Sequence, residues 1–200
     1  MRFLALKISV GIILVFWLVM LVKPELLAPA PPSSESGEAL IGGSFTLTDH
    51  QGKPFTEAKL KGHYSLIYFG FTHCPDICPT TLLVIKNALD NMGKDADIVQ
   101  PILISLDPER DTPESMAQYV SNFHPRLVGL TGTPEQIKRV ADAYKVYYSR
   151  VEQPESAMGY LVDHSGFVFL MGKNGEYITH FPHTVAEQTL ADTLRRTINR

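Results

Sequence analysis

The spacing of apolar positions changes along the chain, and each change predicts an element of secondary structure. Strand-like runs occupy residues 42–49, 64–70, 101–107 and 127–130, and the predominantly apolar run at 64–70 suits a buried central strand. A turn at 50–53 makes the first run part of a small N-terminal hairpin. Further strand-like runs lie at 159–164, 166–171 and 177–180, and the turn Lys173-Asn174-Gly175 between the last two is typical of a hairpin.

Helical spacing fills the intervals between these runs. Pro79 suits the first position of a helix, where its missing N–H costs nothing, and apolar residues then recur at helical spacing up to Gly93. Thr112 predicts an N-cap for a second helix that opens at Pro113. Capping boxes at 133–136 and 184–187 predict helices that end near residues 144 and 199.

This order of elements predicts an α/β fold. Alternating strands and helices, followed by a β-hairpin and a closing helix, form a central mixed sheet with helices on both faces. A thioredoxin-like fold requires this order, here with a helix-rich section inserted between its halves. A loop that follows the run at 64–70 would lie at the carboxyl end of a central strand, where open α/β sheets bind their ligands.

The N-terminal residues predict a membrane anchor ahead of this domain. Residues 8–22 carry no charge, and the apolar stretch reaches about 20 residues, the span of a bilayer core, when residues 3–6 are added. Arg2 and Lys7 precede it, so the N-terminus is expected in the cytoplasm and the domain outside. The prediction is a transmembrane signal anchor at 1–22, a Pro/Ser-rich linker at 23–39 and a domain at 40–200. Cleavage near Ala28-Pro29-Ala30 is the alternative.

The composition of the chain argues against some classes of protein. The chain is 44% hydrophobic and 20% charged, as in a globular protein, and its net charge of −3 gives no basis for nucleic-acid binding. Its two cysteines are too few for a disulfide scaffold. A short-range pair of this kind is more typical of redox chemistry or metal binding.

The two cysteines, Cys74 and Cys78, follow the central strand in a C-x-x-x-C pattern. If Pro79 opens the helix, Cys78 is the N-cap, and its thiol is expected to be more acidic than the free value of about 8.5. The sulfurs could close a disulfide, which would span too small a loop to stabilise the fold much, or bind one soft metal ion. The spacing is wider than the C-x-x-C of thioredoxin-type oxidoreductases, which favours metal over efficient dithiol exchange.

A two-thiolate site needs a third donor, for which imidazole is the usual choice. His73 adjoins Cys74, but neighbours in an extended chain point in opposite directions. His164 ends an apolar strand at a junction expected beside the cysteine loop, with Asp163 as a possible orienting partner. Asp76 is a turn residue or an additional ligand, and the acidic and basic residues of 107–111 are typical of an exposed charged turn. The histidines to choose from are His50, His63, His73, His124, His164, His180 and His183.

Three blocks in this order resemble the Sco/SenC family of membrane-anchored copper proteins that assist cytochrome c oxidase assembly. They are GFTHCPDICPT (70–80), SLDPERDTP (105–113) and LVDHS (161–165), within a similarity that covers about residues 40–199. The resemblance implies a thioredoxin-like domain that binds one copper ion, Cu(I) or Cu(II), through Cys74, Cys78 and His164.

The resemblance also implies a function, a cellular location and partners. The protein would deliver copper to the binuclear copper centre of an oxidase subunit, from the bacterial inner membrane with its domain in the periplasm. Its expected partners are that copper-accepting subunit and another periplasmic copper carrier. Alternatives that remain open are a thiol–disulfide oxidoreductase that keeps the subunit's cysteines reduced, a redox or copper sensor, a peroxiredoxin-type peroxidase, and zinc at the same ligands. Asp76, Asp163 or water could complete the coordination.

Overall fold

The computed structural model describes residues 41–156 and 158–199. The predicted anchor at 1–22, the alternative cleavage site and the linker at 23–39 lie outside the described residues. Within the described ranges, no helix combines the length and the apolar character needed to cross a membrane.

Strands and helices occur close to the predicted positions. The strands are β1 Thr46–Asp49, β2 Pro54–Thr56, β3 Tyr64–Gly70, β4 Val99–Ser105, β5 Val128–Thr131, β6 Tyr148–Gln153, β7 Gly159–His164, β8 Phe167–Met171 and β9 Tyr177–Pro182. The α-helices of the described residues are α1 Ile77–Met92, α2 Pro113–Val120, α3 Pro134–Ala143 and α4 Glu187–Ile198. Two 3₁₀ helices, Glu57–Leu60 and Gly93–Ile98, precede β3 and β4.

A mixed sheet forms the centre of the domain, with the strand order β2-β1-β5-β4-β3-β8-β9. β3, β4 and β5 run parallel, while β1 and β8 pair antiparallel with β5 and β3. The side chains of β3 are buried on both faces, from Leu66 to Phe69. This confirms the prediction of a buried central strand at 64–70, because a strand covered on both faces requires a continuous apolar run.

Helices cover both faces of this sheet. A Cβ atom at Gly70 would meet the Cys78 sulfur of α1, and one at Gly129 would meet Met116 of α2, so α1 and α2 share one face. α4 packs against α1 on that face. Phe69 points to the opposite face and contacts Tyr144, which directly follows α3. The predicted mixed α/β arrangement is therefore confirmed, and it places the loop between β3 and α1 at the carboxyl end of the central strand.

Local predictions at the ends of elements are confirmed at three places. β1 and β2 pair as the predicted N-terminal hairpin. Thr112 caps α2 by accepting a hydrogen bond from the backbone N–H of Ser115. Thr133 and Gln136 form the predicted capping box of α3, with Pro134 in the first turn.

The predicted capping box at 184–187 is wrong. α4 begins at Glu187, with Ala186 at its N-cap and no side-chain cap. The backbone N–H of Val185 donates to the carbonyl of Pro182, so residues 182–185 form a turn that closes β9. Because this turn fixes the backbone of residues 182–185, the helix begins after it.

Strand β6 is an element that the sequence did not predict. It pairs antiparallel with β7, from Tyr148 opposite His164 to Gln153 opposite Gly159. Both strands form a separate two-stranded sheet outside the main sheet. Most side chains of β6 are exposed or half-buried, so it lacks the apolar alternation by which strands are recognised. The strand that carries His164 therefore belongs to a hairpin beside the main sheet.

Candidate metal centre

The cysteine loop leaves β3 at Gly70 and enters α1 at Ile77. Cys74 lies in the loop, where its backbone N–H donates to the carbonyl of Phe71. The prediction that Cys78 is the N-cap is wrong, because Asp76 occupies that position and Cys78 lies in the first helical turn. A backbone hydrogen bond from Thr80 to Asp76 closes this turn, and proline is tolerated there at position 79.

Both cysteines are free thiols in contact with each other. The backbone N–H of Cys78 donates to the sulfur of Cys74 over 3.4 Å. Cys74 therefore accepts from one of the backbone N–H groups that a capping side chain usually binds at a helix N-terminus. Cys78 is fully buried, whereas Cys74 is half-buried.

The prediction that the Cys78 thiol is more acidic than a free thiol is wrong, and the acidic thiol is its neighbour. A hydrogen bond from the Cys78 thiol, helped by backbone N–H groups, lowers the pKa of Cys74 to about 5. The same hydrogen bond, together with burial, raises the pKa of Cys78. The acidic thiol is therefore Cys74, and Cys78 supplies the proton that stabilises it.

His164 ends β7 and points its ring at the cysteine pair. Its Nε2 lies 3.7 Å from the Cys78 sulfur, while its Nδ1 lies 3.1 Å from the carbonyl oxygen of Ser165. Because a carbonyl can only accept, Nδ1 carries the proton and Nε2 keeps its lone pair. Burial lowers the pKa of His164, which favours this neutral imidazole, the form that binds metals.

The separation between these two atoms suits a shared metal ion. A thiolate and an imidazole nitrogen bind a zinc-sized ion at about 2.3 and about 2.05 Å. With ligand angles between tetrahedral and trigonal, such bonds place sulfur and nitrogen about 3.6–3.8 Å apart. The observed 3.7 Å between Cys78 Sγ and His164 Nε2 falls in this range.

Aromatic side chains surround the Cys78–His164 contact. The buried Tyr68 hydroxyl lies 3.6 Å from the Cys78 sulfur, to which it donates. The rings of Tyr68 and Phe71 both meet the His164 ring edge-on, with centroids 6.1 and 6.2 Å away. These contacts fix the imidazole plane and keep water from the inner side of the site.

The outer side of the site opens into a cleft of about 280 Å³. Asp76 and Asp163 are exposed at this cleft, so both possible additional ligands lie near the site, and their role stays a prediction. His183, which no sequence signal distinguished from the other histidines, also lines it. The lining residues are Phe71, Cys74, Pro75, Asp76, Ile77, Leu161, Val162, Asp163, His164, Gly166 and His183.

The expected exposed charged turn at 107–111 is largely buried. Only Glu109 is exposed, while Asp107 and Asp111 are 3% and 0% exposed. Asp111 accepts hydrogen bonds from Thr72 and Ser105, and burial raises its pKa. A signal was available, because residues directly after a buried parallel strand lie at the same sheet edge as the cysteine loop.

Ligand atoms of His73, Asp107 and Asp111 approach within 4.8 Å of one another. Asp107 is already paired with Arg110 and accepts from Tyr160 as well. Asp111 is bound to Thr72 and Ser105. This group therefore has the geometry of a hydrogen-bonded support for the site, and its carboxylates are occupied by protein donors. His73, exposed and bonded to Thr72, does not join the cysteines.

The SCO1/SenC family model matches residues 33–199. SCO2-like protein RP587 of Rickettsia prowazekii is 49% identical over 141 residues, covering 70% of this chain and 69% of that protein. The mitochondrial protein SCO2 of Saccharomyces cerevisiae is 45% identical over 163 residues, 81% of this chain and 54% of that protein.

Solved structures show the same architecture. ScoI of Bradyrhizobium japonicum with copper bound is 46% identical, with a TM-score of 0.72 over 78% of this chain and 98% of that chain. Yeast Sco1 with copper bound is 39% identical, with a TM-score of 0.74 over 80% of this chain and 88% of that chain.

Proposed function

The chain belongs to the SCO1/SenC family, and we propose that it binds one copper ion through Cys74, Cys78 and His164. The observation that carries this proposal is the imidazole nitrogen of His164, 3.7 Å from the Cys78 sulfur with its tautomer fixed by Ser165. Copper-bound structures of relatives at 46% and 39% identity support copper as the metal. The fold and its cysteine loop at the end of β3 support the thioredoxin-like assignment.

The donor set suits copper in both oxidation states. Thiolates are soft ligands that favour Cu(I), and an added imidazole also accommodates Cu(II). Cys74 is already a thiolate at neutral pH, because its pKa is about 5. Cys78 must lose its proton when the metal binds, so loading is coupled to proton release and weakens as the pH falls.

We propose that the protein delivers this copper to the binuclear copper centre of a cytochrome c oxidase subunit. Residues 1–22 would hold the domain at the periplasmic face of the bacterial inner membrane. A tethered donor meets a membrane-bound acceptor at raised effective concentration. The half-buried Cys74 at the open cleft is the ligand that an incoming thiolate from the acceptor would displace first.

A thiol–disulfide oxidoreductase is the second candidate. The observation that favours it is the pairing of a half-buried, acidic Cys74 with a fully buried Cys78. An accessible thiolate attacks a disulfide of the oxidase subunit, and the neighbouring thiol then resolves the mixed disulfide. The subunit gains two thiols, and this chain is left with a Cys74–Cys78 disulfide.

A transfer experiment tests the first candidate against the second. The full chain, loaded with copper, is mixed with the reduced copper-accepting domain of an oxidase subunit, and the copper content of each protein is measured after separation. Delivery predicts copper on the acceptor, with His73→Ala as a control that behaves like the unmodified protein. In the parallel assay, the copper-free chain is mixed with the disulfide form of the acceptor. If copper stays on the donor while acceptor thiols appear, the chain is a reductase and the delivery proposal is wrong.

A further inference from the structure

The two halves of the candidate metal centre come from separate parts of the fold. The cysteines follow β3 of the main sheet, whereas His164 ends the hairpin β6–β7, which forms its own two-stranded sheet. The distance between sulfur and imidazole therefore depends on the contacts that join this hairpin to the cysteine loop. The rings of Tyr68 and Phe71 contact the imidazole itself, and a second set of contacts holds the hairpin farther from the metal centre. Residues 106–112, the connecting loop between β4 and α2, contact both parts.

Toward the cysteines, the connecting loop is bound through Asp111. This fully buried carboxylate accepts from the backbone N–H of Thr72 at 3.1 Å and also from the Thr72 hydroxyl. It also accepts from the Ser105 hydroxyl at 2.6 Å. Thr72 lies two residues before Cys74, so Asp111 fixes the start of the cysteine loop to the end of β4.

Toward the hairpin, the connecting loop is bound through Arg110. Its Nη1 donates to the carbonyls of Met158 and Tyr160 at 3.1 and 3.2 Å. Its guanidinium lies 3.7 Å from the centre of the Tyr160 ring. Asp107, which is paired with Arg110, accepts from the Tyr160 hydroxyl at 2.8 Å. Backbone, ring and hydroxyl of Tyr160 are thus all held by the connecting loop.

The place of Tyr160 on β7 links this contact to the metal ligand. Alternate residues of a strand share a face, so Tyr160 and His164 project to the same side of β7. The two residues are about 13 Å apart along the strand at about 3.3 Å per residue. A rotation of the hairpin at Tyr160 would therefore move the imidazole away from Cys78.

We propose that residues 106–112 set the separation between the cysteine pair and His164, with Arg110 as the positioning residue. The inference rests on the proposed copper function for its metal readout. Arg110 suits this role because a planar guanidinium can stack on a ring and donate to two carbonyls at once, which a lysine cannot. Loss of Arg110 would also leave Asp107 buried without its cationic partner.

A double-mutant cycle on the full chain tests the inference. Cu(II) affinity is measured by competition with a chelator for the unmodified protein, Arg110→Ala, His164→Ala and the double variant. We expect Arg110→Ala to bind Cu(II) about 10- to 100-fold more weakly, the usual effect of removing a residue that orients a metal ligand. In the His164→Ala background the same change is expected to alter affinity less than about twofold, because a residue that acts through His164 has nothing left to position.

Two further variants make the result specific. Arg110→Lys keeps the charge beside Asp107 and is expected to restore only part of the affinity. Arg126→Ala is the matched control, because Arg126 pairs with the exposed Asp97 and makes none of the contacts with the hairpin. It is expected to leave Cu(II) affinity unchanged. If Arg110→Ala weakens binding by the same factor with and without His164, or not at all, the inference is wrong.

Hydrogen exchange on the copper-free chain keeps this test separate from the copper proposal. Amide protons of the β6–β7 pairing are expected to exchange at least about tenfold faster in Arg110→Ala, while those of β3 and β4 keep their rates. Unchanged exchange in the hairpin overturns the inference even if copper binds nowhere. Faster exchange throughout the domain would mean general destabilisation and would overturn it too. Failure of the unmodified protein to bind copper, with the hairpin effect intact, contradicts only the proposed function.

Discussion

Cys74 provides a prediction that depends on the geometry of the cysteine loop. The Cys78 thiol and backbone N–H groups lower its pKa to about 5, against about 8.5 for a free thiol. At pH 6 about 90% of Cys74 would be thiolate, compared with about 0.3% of an ordinary cysteine. The thiolate fraction therefore favours Cys74 by about 300-fold.

Nucleophilicity reduces this advantage. With a Brønsted coefficient of about 0.45, a fall of about 3.5 pKa units makes the thiolate about 40-fold less nucleophilic. The net expectation at pH 6 is that reduced, copper-free Cys74 reacts about 8-fold faster than the thiol of an unstructured reference peptide. Because the pKa is lowered, the rate is retained as the pH falls and drops only near pH 5.

The assay is the initial rate of exchange with a small aromatic disulfide between pH 4 and 9, with mass spectrometry to identify the labelled residue. Cys78→Ala is the informative variant, because it removes the thiol that contributes most to the shift, and the midpoint is expected to rise. A midpoint above pH 8 in the unmodified protein, or first labelling at the buried Cys78, would refute the assigned order of acidity.

Two further predictions concern the strand beneath the site. Gly70→Ala places a Cβ 2.9 Å from the Cys78 sulfur and 3.1 Å from the Tyr68 ring. This overpacking is expected to lower the free energy of unfolding, measured in urea, by about 1–3 kcal/mol. An unchanged free energy of unfolding would contradict the described contact. Tyr68→Phe removes the hydroxyl 3.6 Å from that sulfur, so the thiolate-to-Cu(II) absorption band is expected to shift to lower energy. Tyr144→Phe, on the opposite face, is the control, and an equal shift in both variants would refute a local effect.

Regular parts of the fold follow from local patterns that the sequence displays. β3 occupies Tyr64–Gly70, the predicted run, because burial on both faces demands continuous apolar residues. The Thr133 capping box likewise needs only residues three positions apart. β6 has no such pattern, since it is a mostly polar strand in a two-stranded sheet. Its pairing with β7 depends on the hairpin as a whole.

In the candidate site, too, some features are visible in the sequence and others are not. Cys74 and Cys78 are visible as a motif, and His164 stands out by its place at the end of a strand. In the structure these three side chains lie next to one another, and their role as copper ligands stays a prediction. That Cys74 rather than Cys78 is the acidic thiol could not be predicted, because it depends on a hydrogen bond from the Cys78 thiol to Cys74 and on the burial of Cys78.

The burial of the acidic residues before α2 has only a weak signal in the sequence. Asp107 and Asp111 are held by Tyr160 and Thr72, which are 53 and 39 residues away along the chain. A charged turn looks exposed until such distant donors are known. The topology of the parallel strands was the only available hint, since it brings the ends of β3 and β4 together.

The central claim is tested most directly by the copper content of the purified full chain. The reduced protein is loaded with copper, passed through a desalting column and analysed for metal, protein and thiolate-to-Cu(II) absorption. One copper per chain is expected, with loss or clear weakening in Cys74→Ala, Cys78→Ala and His164→Ala and none in His73→Ala. A protein that retains no copper, or a His164→Ala variant that binds like the unmodified chain, would contradict the account.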